Sequence, residues 1–498
     1  MRPLRCASVF MASLVLSGCL IGPDYERPSP ATAPTVSYKE VLGVDFRPAM
    51  PRETVDRGPW WTLYGDAELD HLAAQVDVSN QTLKQSEAAY RQAVALIRQS
   101  QSPLYPTVGF SGSMQQTSSS SGTRSASGTV GNSVGQYAVG GSLTWEVDVW
   151  GRIRRTIESD SAAAQASAAD LAAARLSIQS NLVANYFSLR ISDERRALYQ
   201  RSIAAYARSL EIVRNQMNAG IASRLDLAQA QTILEQTRAL YVAEGANRAQ
   251  FEHAVAALIG RAPAELSIAQ GTPPGDVPTL DAGVPSALLE RRPDVASAER
   301  QMASANAQIG VAQAAYFPDF TFTASINFLS TVIGNLLQIG SAVWSLGPQL
   351  AGTLIDGGAR GAQVEGARAN YDRTVAQYRQ TVIAAFQQVE DALAQQRYLA
   401  EQEAIQRRAV AAARDAERLS INQYQAGTVA YTTVIQAQTT ALGAEQTLIN
   451  IRLARFTASA NLVSALGGGW REQDLPPPVP VAGSETSRRV KKASWWPF

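Results

Sequence analysis

One motif of this chain recurs at a fixed distance, and that duplication constrains the fold more than any other feature. Asn215-Gln216-Met217-Asn218-Ala219-Gly220 is followed by Gln229-Ala230-Gln231-Thr232, and Asn422-Gln423-Tyr424-Gln425-Ala426-Gly427 is followed at the same spacing by Gln436-Ala437-Gln438-Thr439. The offset is constant (427 − 220 = 207; 436 − 229 = 207), and Gly260 and Gly467 keep it near the end of each copy. Solenoid repeats have periods of roughly 20–50 residues. This period is far longer, so the repeated unit has the size of a domain.

Within each unit the pattern predicts helices too long for a compact domain. Alanine-rich, proline-free stretches run from about Arg152 to Met217 and from about Ala359 to Gln425. At ~1.5 Å per residue each would extend about 100 Å. Each ends at the repeated Ala-Gly, turns through a short loop, and continues as a second helix to Gly260 or Gly467, glycine serving as the stop. Val375, Tyr378, Val382, Ala385, Phe386, Val389 and Leu393 form a stripe at helical spacing, flanked by Gln, Arg and Glu.

The segments ahead of the long helices alternate with period two. Phe320, Phe322, Ala324, Ile326 and Phe328 oppose Thr321, Thr323, Ser325 and Asn327. Tyr137, Val139, Gly141, Leu143, Trp145 and Val147 oppose a mostly polar set from Gln136 to Asp148. Weaker runs are Val108, Phe110, Gly112 and Met114, and Trp344, Leu346, Leu350 and Leu354, the last interrupted by Pro348. A sandwich would alternate too. The strands, however, approach the 9–11 residues of a tilted membrane strand, and their polar faces are Ser, Thr, Asn and Gln with few charges, as a water-filled lumen requires. Four strands cannot close a barrel, and lipid tolerates no open edge, so the β part demands an oligomer.

At the N-terminus, Arg2 and Arg5 precede a short apolar stretch, Cys6 to Leu16, and then Leu16-Ser17-Gly18-Cys19. This is a secretory signal too short to span a bilayer. Its end is similar to a bacterial lipobox, in which Cys19 becomes the lipidated first residue. Leu20 stands where an inner-membrane retention signal would place Asp, which implies outer-membrane sorting. Only Cys6 and Cys19 are present, so cleavage leaves no pair for an internal disulfide.

Composition excludes several classes. With 44 basic and 43 acidic residues the balance argues against a nucleic-acid partner. His71 and His253 lie far apart in helical patterns, no Cys/His cluster has ligand spacing, and neither a metal nor a cofactor is expected. Gly131-Asn132-Ser133-Val134-Gly135 fits G-x-S-x-G, but a Ser/Gly-rich run precedes it and a strand follows, unlike a nucleophile elbow. Gly357-Gly358-Ala359-Arg360-Gly361 completes no phosphate-binding fingerprint. No catalytic residue is assigned, and an enzyme is not expected.

Specific motifs then accumulate from end to end: Gly22-Pro23-Asp24-Tyr25 with Pro28; Trp60-Trp61 with Tyr64, Asp66 and Leu69; Tyr105-Pro106; Leu289-Glu290-Arg291-Arg292-Pro293-Asp294-Val295 with Ala298-Glu299; and Val311-Ala312-Gln313-Ala314-Ala315-Tyr316-Phe317-Pro318. With these the chain resembles the outer-membrane factor family, the TolC/OprM/NodT-type exit ducts of tripartite efflux and secretion systems, and within it the lipoprotein branch. The resemblance implies an α+β membrane protein that closes as a homotrimer, with a twelve-stranded β-barrel in outer-membrane lipid and a twelve-helix periplasmic α-barrel. It implies as partners a periplasmic membrane-fusion adaptor and an inner-membrane transporter of the resistance–nodulation–division type. The function it implies is passive conduction of small molecules such as drugs through a gated aperture.

The same resemblance assigns the periplasmic tips and adaptor-docking loops to Gly220, Ile221, Ala222 and Ser223, and to Gly427, Thr428, Val429 and Ala430. It puts Asp226 and Tyr424 where a closing contact forms in TolC-like members. This chain departs from that gate, with Val429 in place of an arginine and Thr433 and Gln436 in place of two acidic residues. Those departures point away from a charged constriction and towards polar or apolar contacts. Asp226 beside Arg224 also fits a simple helix N-terminal charge preference, and both readings stay open.

The expected division is a signal peptide (1–18), a lipid-anchored segment with first helices (19–104), repeat 1 (105–262), a connector and helix (263–316), repeat 2 (317–469) and a flexible tail (470–498). Alternatives are a periplasmic coiled-coil structural lipoprotein without a pore, an exported hydrolase using Ser133, and a duct for protein secretion. Sparse Met and His argue against metal cargo.

Overall fold

The computed structural model describes residues 20–28, 59–119, 132–275, 277–278 and 291–477. The signal sequence, Cys19, Gly131, Leu289-Glu290 and the tail from 478 lie outside the described residues. Short helices α1 (Ala67–Ser79) and α2 (Gln81–Gln101) lead into β1 (Thr107–Ser119) and β2 (Asn132–Glu146). Long helices α3 (Arg152–Asn218) and α4 (Arg224–Leu258) follow. The second half repeats the plan with α5 (Pro293–Ala314), β3 (Asp319–Ser330), β4 (Ala342–Ala351), α6 (Ala359–Gln425) and α7 (Tyr431–Ala465).

The offset read in the sequence holds in the helices to the residue. Arg152 maps to Ala359 and Asn218 to Gln425, each by 207, giving two helices of 67 residues; Arg224 to Tyr431 and Leu258 to Ala465 give two of 35. Each long helix therefore rises about 100 Å. Both close with the same hydrogen bonds: Ile221 N donates to Gln216 O at 2.8 Å and Thr428 N to Gln423 O at 3.0 Å, with Gly220 at φ +76° and Gly427 at φ +75°. This is the Schellman arrangement, and its left-handed position explains why glycine recurs. The space around both glycines is open, so only the backbone angle demands glycine there.

The strands form one antiparallel sheet in the order β1-β2-β3-β4. The fourth strand ends at Ala351, so Leu354 lies beyond it, contrary to the alternation expected through Leu354. Pro348 sits inside β4, opposite Phe322. Residues 132–135 open β2 rather than joining a strand to a helix, which removes the hydrolase elbow.

Beneath the sheet, α3 packs against α4, α5, α2 and α7, while α6 packs against α7 and α5. The two copies thus meet along α3 and α7. There Tyr206 donates to Gln438 O at 3.1 Å, Gln438 Nε2 to Ser209 Oγ at 3.1 Å, and Gln446 Nε2 to the Tyr199 hydroxyl at 3.0 Å. The largest apolar core surrounds Tyr64, Tyr186, Phe187 and Phe456, with Phe187 and Phe456 stacked at 4.4 Å. Each such ring contributes about 1.5–3 kcal/mol on burial. The motif residues serve this core: Tyr64 donates to Ser459 at 3.1 Å, and Tyr186 to Asp66 at 2.6 Å. Arg292 pairs with Asp294 at 2.6 Å and donates to the Ala465 carbonyl at 3.0 Å, fastening α5 to the end of α7. The stripe expected on α6 is the buried one, with Tyr378, Val382, Ala385 and Val389 at its centre.

Candidate functional site

The sheet carries one apolar face and one polar face, and the pairing register is what aligns them. Val108 pairs with Leu143, which pairs with Ala324, which pairs with Leu346. Phe110, Gly141, Ile326 and Trp344 form the next row. Because side chains alternate along a strand, matching registers put both rows on one face. That face is uncovered: Phe110 is 81% exposed and Trp344 72%. An apolar patch of this extent on one sheet has no place in water.

The opposite face is hydroxyl-rich. Thr144 pairs with Thr323, and Ser142 with Ser325, whose Oγ lies 2.9 Å from that of Ser345. Gly140 fits closely there, since a Cβ would displace the Asn327 side chain and stand 2.9 Å from the Ile326 backbone oxygen. Tryptophans mark the lower rim: Trp145 Nε1 donates to Leu104 O at 3.0 Å and Trp150 Nε1 to Pro318 O at 2.9 Å.

Directly under that rim the first described residues form a strap. Ile21 N donates to Trp150 O at 3.2 Å. Arg155, only 1% exposed, donates to Ile21 O at 3.1 Å, Gly22 O at 3.0 Å and Asp24 Oδ1 at 2.8 Å. Gly22, at φ +105°, presses on Gly310 of α5, and Asn306 Nδ2 donates to Pro23 O at 3.0 Å. Tyr25 donates to Glu299 at 2.7 Å; burial and that carboxylate hold its hydroxyl well above the usual tyrosine range. Sequence reasoning missed Arg155, because arginines at the start of a helix read as solvated. The signal available was its neighbourhood, a Gly-Arg-Ile-Arg-Arg run immediately after a strand.

At the far end, Gly220, Ile221, Ser223, Gly427, Thr428 and Ala430 are exposed, while Ala222 and Val429 are half-buried. The Asp226 carboxylate is held by its own helix: Ser223 N donates to it at 3.0 Å, and Asp226 N donates to Ser223 Oγ at 3.1 Å. This is a capping box. Tyr424 packs on Tyr431 at 5.0 Å, and among the described residues both hydroxyls are buried without a hydrogen-bond partner. Burial, reinforced by the Asp226 charge, raises the Tyr424 hydroxyl. Burial pushes Tyr431 up to about 12, with Tyr424 and Asp226 adding to it. Asp226 and Tyr424 are therefore electrostatic neighbours with no hydrogen bond between them within one chain. Thr433 and Gln436 are exposed on α7. Val213, Ala230, Tyr431 and Val434 form the apolar plug behind the tips. Tyr431, which sequence reasoning did not single out, is its largest member.

A family model described as "Outer membrane efflux protein" matches residues 72–261 and 284–468. The chain belongs to the outer membrane efflux protein family. The toluene efflux pump outer membrane protein TtgC of Pseudomonas putida is 30% identical over 94% of this chain and 96% of its own length. The cation efflux system protein CusC of Escherichia coli is 26% identical over 93% of this chain and 98% of its own. Among solved structures, the outer-membrane channel OprN superposes with a TM-score of 0.82 at 26% identity, covering 91% of this chain and all (100%) of that one. As an outer membrane efflux protein the chain is a transport component, which accounts for two separated features, an apolar sheet face and a long helical body. Among the described residues no helix is apolar enough to cross a membrane, and no group of three or more ligating side chains could hold a metal.

Proposed function

We propose that three copies of this chain close a single duct, with twelve strands (three times four) in the outer membrane and twelve long helices in the periplasm. One observation carries this reading: the lipid-compatible sheet ends in unpaired outer edges on β1 and β4 among the described residues. An open edge inside hydrocarbon leaves backbone groups unsatisfied at several kcal/mol each. Pairing β4 of one copy with β1 of the next removes every edge, and a head-to-tail contact of that kind generates a closed ring. The helical layer has matching ends, α4 and α6, flanking the inner pair α3 and α7.

The duct conducts passively. A periplasmic adaptor grips the exposed loops around Gly220 and Gly427, and an inner-membrane transporter of the resistance–nodulation–division type loads it. With Val429, Thr433 and Gln436 at the aperture, closure there relies on polar and apolar contacts rather than ion pairs. Small organic molecules are the favoured cargo: toluene is named for the relative TtgC, and six methionines and two histidines are too few to line a metal path. Cys19 carries the lipid, a reading supported by the strap that begins at Leu20 beside the tryptophan rim.

Two measurements test the reading. Protein purified in detergent should run as a trimer and give discrete conductance steps in planar bilayers; a monomer without conductance overturns the duct. Metabolic labelling with a fatty-acid analogue should mark the wild-type protein, and label retained in Cys19→Ser would refute the anchor.

A further inference from the structure

We infer that the lipid on Cys19 is seated in a groove of the protein itself; this rests on the lipoprotein reading above and deepens it. Where α5 ends and α6 begins, an open groove of about 850 Å³ is lined by Ile21, Gln313, Tyr316, Phe317, Val364 and Arg368. Its volume falls in the ~300–1,000 Å³ range of small-ligand sites. Ile21 belongs to the strap, so the groove begins two residues from Cys19. Two residues of extended chain reach at most about 7 Å.

The strap is fastened in that position. Ile21 is bonded through both its backbone groups, N to Trp150 O at 3.2 Å and O from Arg155 Nε at 3.1 Å. The next residue, Gly22, lies so close to α5 that a Cβ on it would stand 2.4 Å from Gly310 Cα. On the other side Leu20 covers Gly151, where a Cβ would meet Leu20 Cδ1 at 2.8 Å. The chain therefore runs past the groove's lip at Ile21 in a fixed direction, two residues after Cys19 in the sequence.

The lining matches a lipid anchor in kind. Ile21, Phe317, Val364 and the Tyr316 ring offer apolar surface, while the Gln313 amide and the Arg368 guanidinium offer donors for ester and amide oxygens. Both aromatic walls are held in place without any ligand. Phe317 stacks on Trp150 at 4.7 Å, and Arg360 lies over the Tyr316 ring at 5.5 Å. Two large rings left half-exposed just before β3 add nothing to the core; as groove walls they are pre-organised to bind.

The test uses cells grown on a photoactivatable fatty acid, with the full-length protein irradiated in membranes and purified as the assembled duct. Mass spectrometry of the N-terminal peptide reports acylation, and cross-linked peptides report where the chain lies. The expected result is cross-linking to peptides carrying Tyr316-Phe317 and Val364. Filling the groove by Val364→Trp, or from its exposed edge by Glu365→Trp, should abolish that cross-link while the N-terminal acyl mass is unchanged. An acylated protein cross-linked only elsewhere overturns the seat and leaves the lipoprotein reading standing. Groove cross-links that persist in Cys19→Ser assign the site to free phospholipid and also overturn it. An N-terminal peptide without acyl mass overturns the lipoprotein reading itself.

Discussion

Replacing Arg155 with methionine should release the N-terminal strap while leaving the duct assembled. The guanidinium holds the strap through two backbone carbonyls, Ile21 O at 3.1 Å and Gly22 O at 3.0 Å, and through Asp24 at 2.8 Å. Hydrogen bonds from a charged donor contribute roughly 1.5–3 kcal/mol each. The Asp24 side chain is 86% exposed, so solvent screening leaves that arm at most about 1 kcal/mol. Glu158 lies on α3 with Arg155 and does not hold the strap. The two carbonyl arms together thus set local opening at about 3–6 kcal/mol, or about 10²- to 10⁴-fold in the open population. Hydrogen exchange in the N-terminal peptide of the purified protein reads this directly, because the Ile21 amide is bonded to Trp150 O. Methionine keeps the apolar stem against α5, so the trimer yield should not change. Asp24→Asn serves as the control, with an effect under about tenfold. Exchange in Arg155→Met within about threefold of wild type would refute the assignment of Arg155 as the clamp.

Other perturbations separate the remaining parts. Phe322→Arg puts a charge on the apolar face between Trp145 and Pro348, costing about 2–4 kcal/mol near the bilayer midplane, whereas Thr323→Arg enters the hydroxyl face and should change conductance with normal assembly; equal loss of trimer in both would reverse the face assignment. Gly220→Val or Gly427→Val forces a β-branched residue to φ near +75°, at roughly 1–3 kcal/mol each, in open space. Insertion should survive while adaptor cross-linking falls and drug susceptibility rises; full resistance in the double variant would move the docking surface elsewhere. Tyr64 and Tyr431 have hydroxyls raised to about 12, above the usual 10. Their contribution is complete below pH 10 and is lost as pH rises from 10 to 12. Thermal melts should therefore be flat in this respect up to pH 10 and decline beyond it, a decline that Tyr64→Phe and Tyr431→Phe should reduce.

The long helices were legible in the sequence because glycine stops and proline-free alanine runs are local signals, and both copies repeat them. The alternation in β3 was equally plain, since four of its five alternating apolar positions, Phe320, Phe322, Ile326 and Phe328, are large or branched. β4 was misjudged at its end: Leu354 continues the spacing of Leu346 and Leu350, yet Ala351 ends the strand. The aperture was legible only in part. Ser223-x-x-Asp226 is at once a gate-like pattern and a capping box, and only coordinates reveal that the carboxylate faces its own helix terminus. The Tyr424–Tyr431 contact crosses a turn between two helices, so no periodicity within either helix announces it. Arg155 was hidden for a different reason. Its partners in the strap lie more than 130 residues away, and charge at a helix start ordinarily faces water.

Duplication explains the architecture, and the departures from it explain where the chain is incomplete. Arg155 maps onto Ala362 (155 + 207 = 362), so copy one alone can clamp a strap, and the chain has a single N-terminus to hold. The two 67-residue helices are equal in length yet unequal in surroundings: α3 lies among α2, α4, α5 and α7, whereas α6 has α5 and α7. Accordingly α3 buries polar residues all along its length, including Arg155, Gln165 and Arg190, while α6 leaves Ile383, Tyr398, Ile405 and Leu419 exposed. Two equivalent helices with opposite burial cannot both be finished surfaces. The exposed apolar side chains of α6 and the unpaired edge of β4 belong to the same half of the chain. A neighbouring copy that pairs its β1 with this β4 would bring its own first-copy helices alongside α6, closing the strand and helix layers in one step.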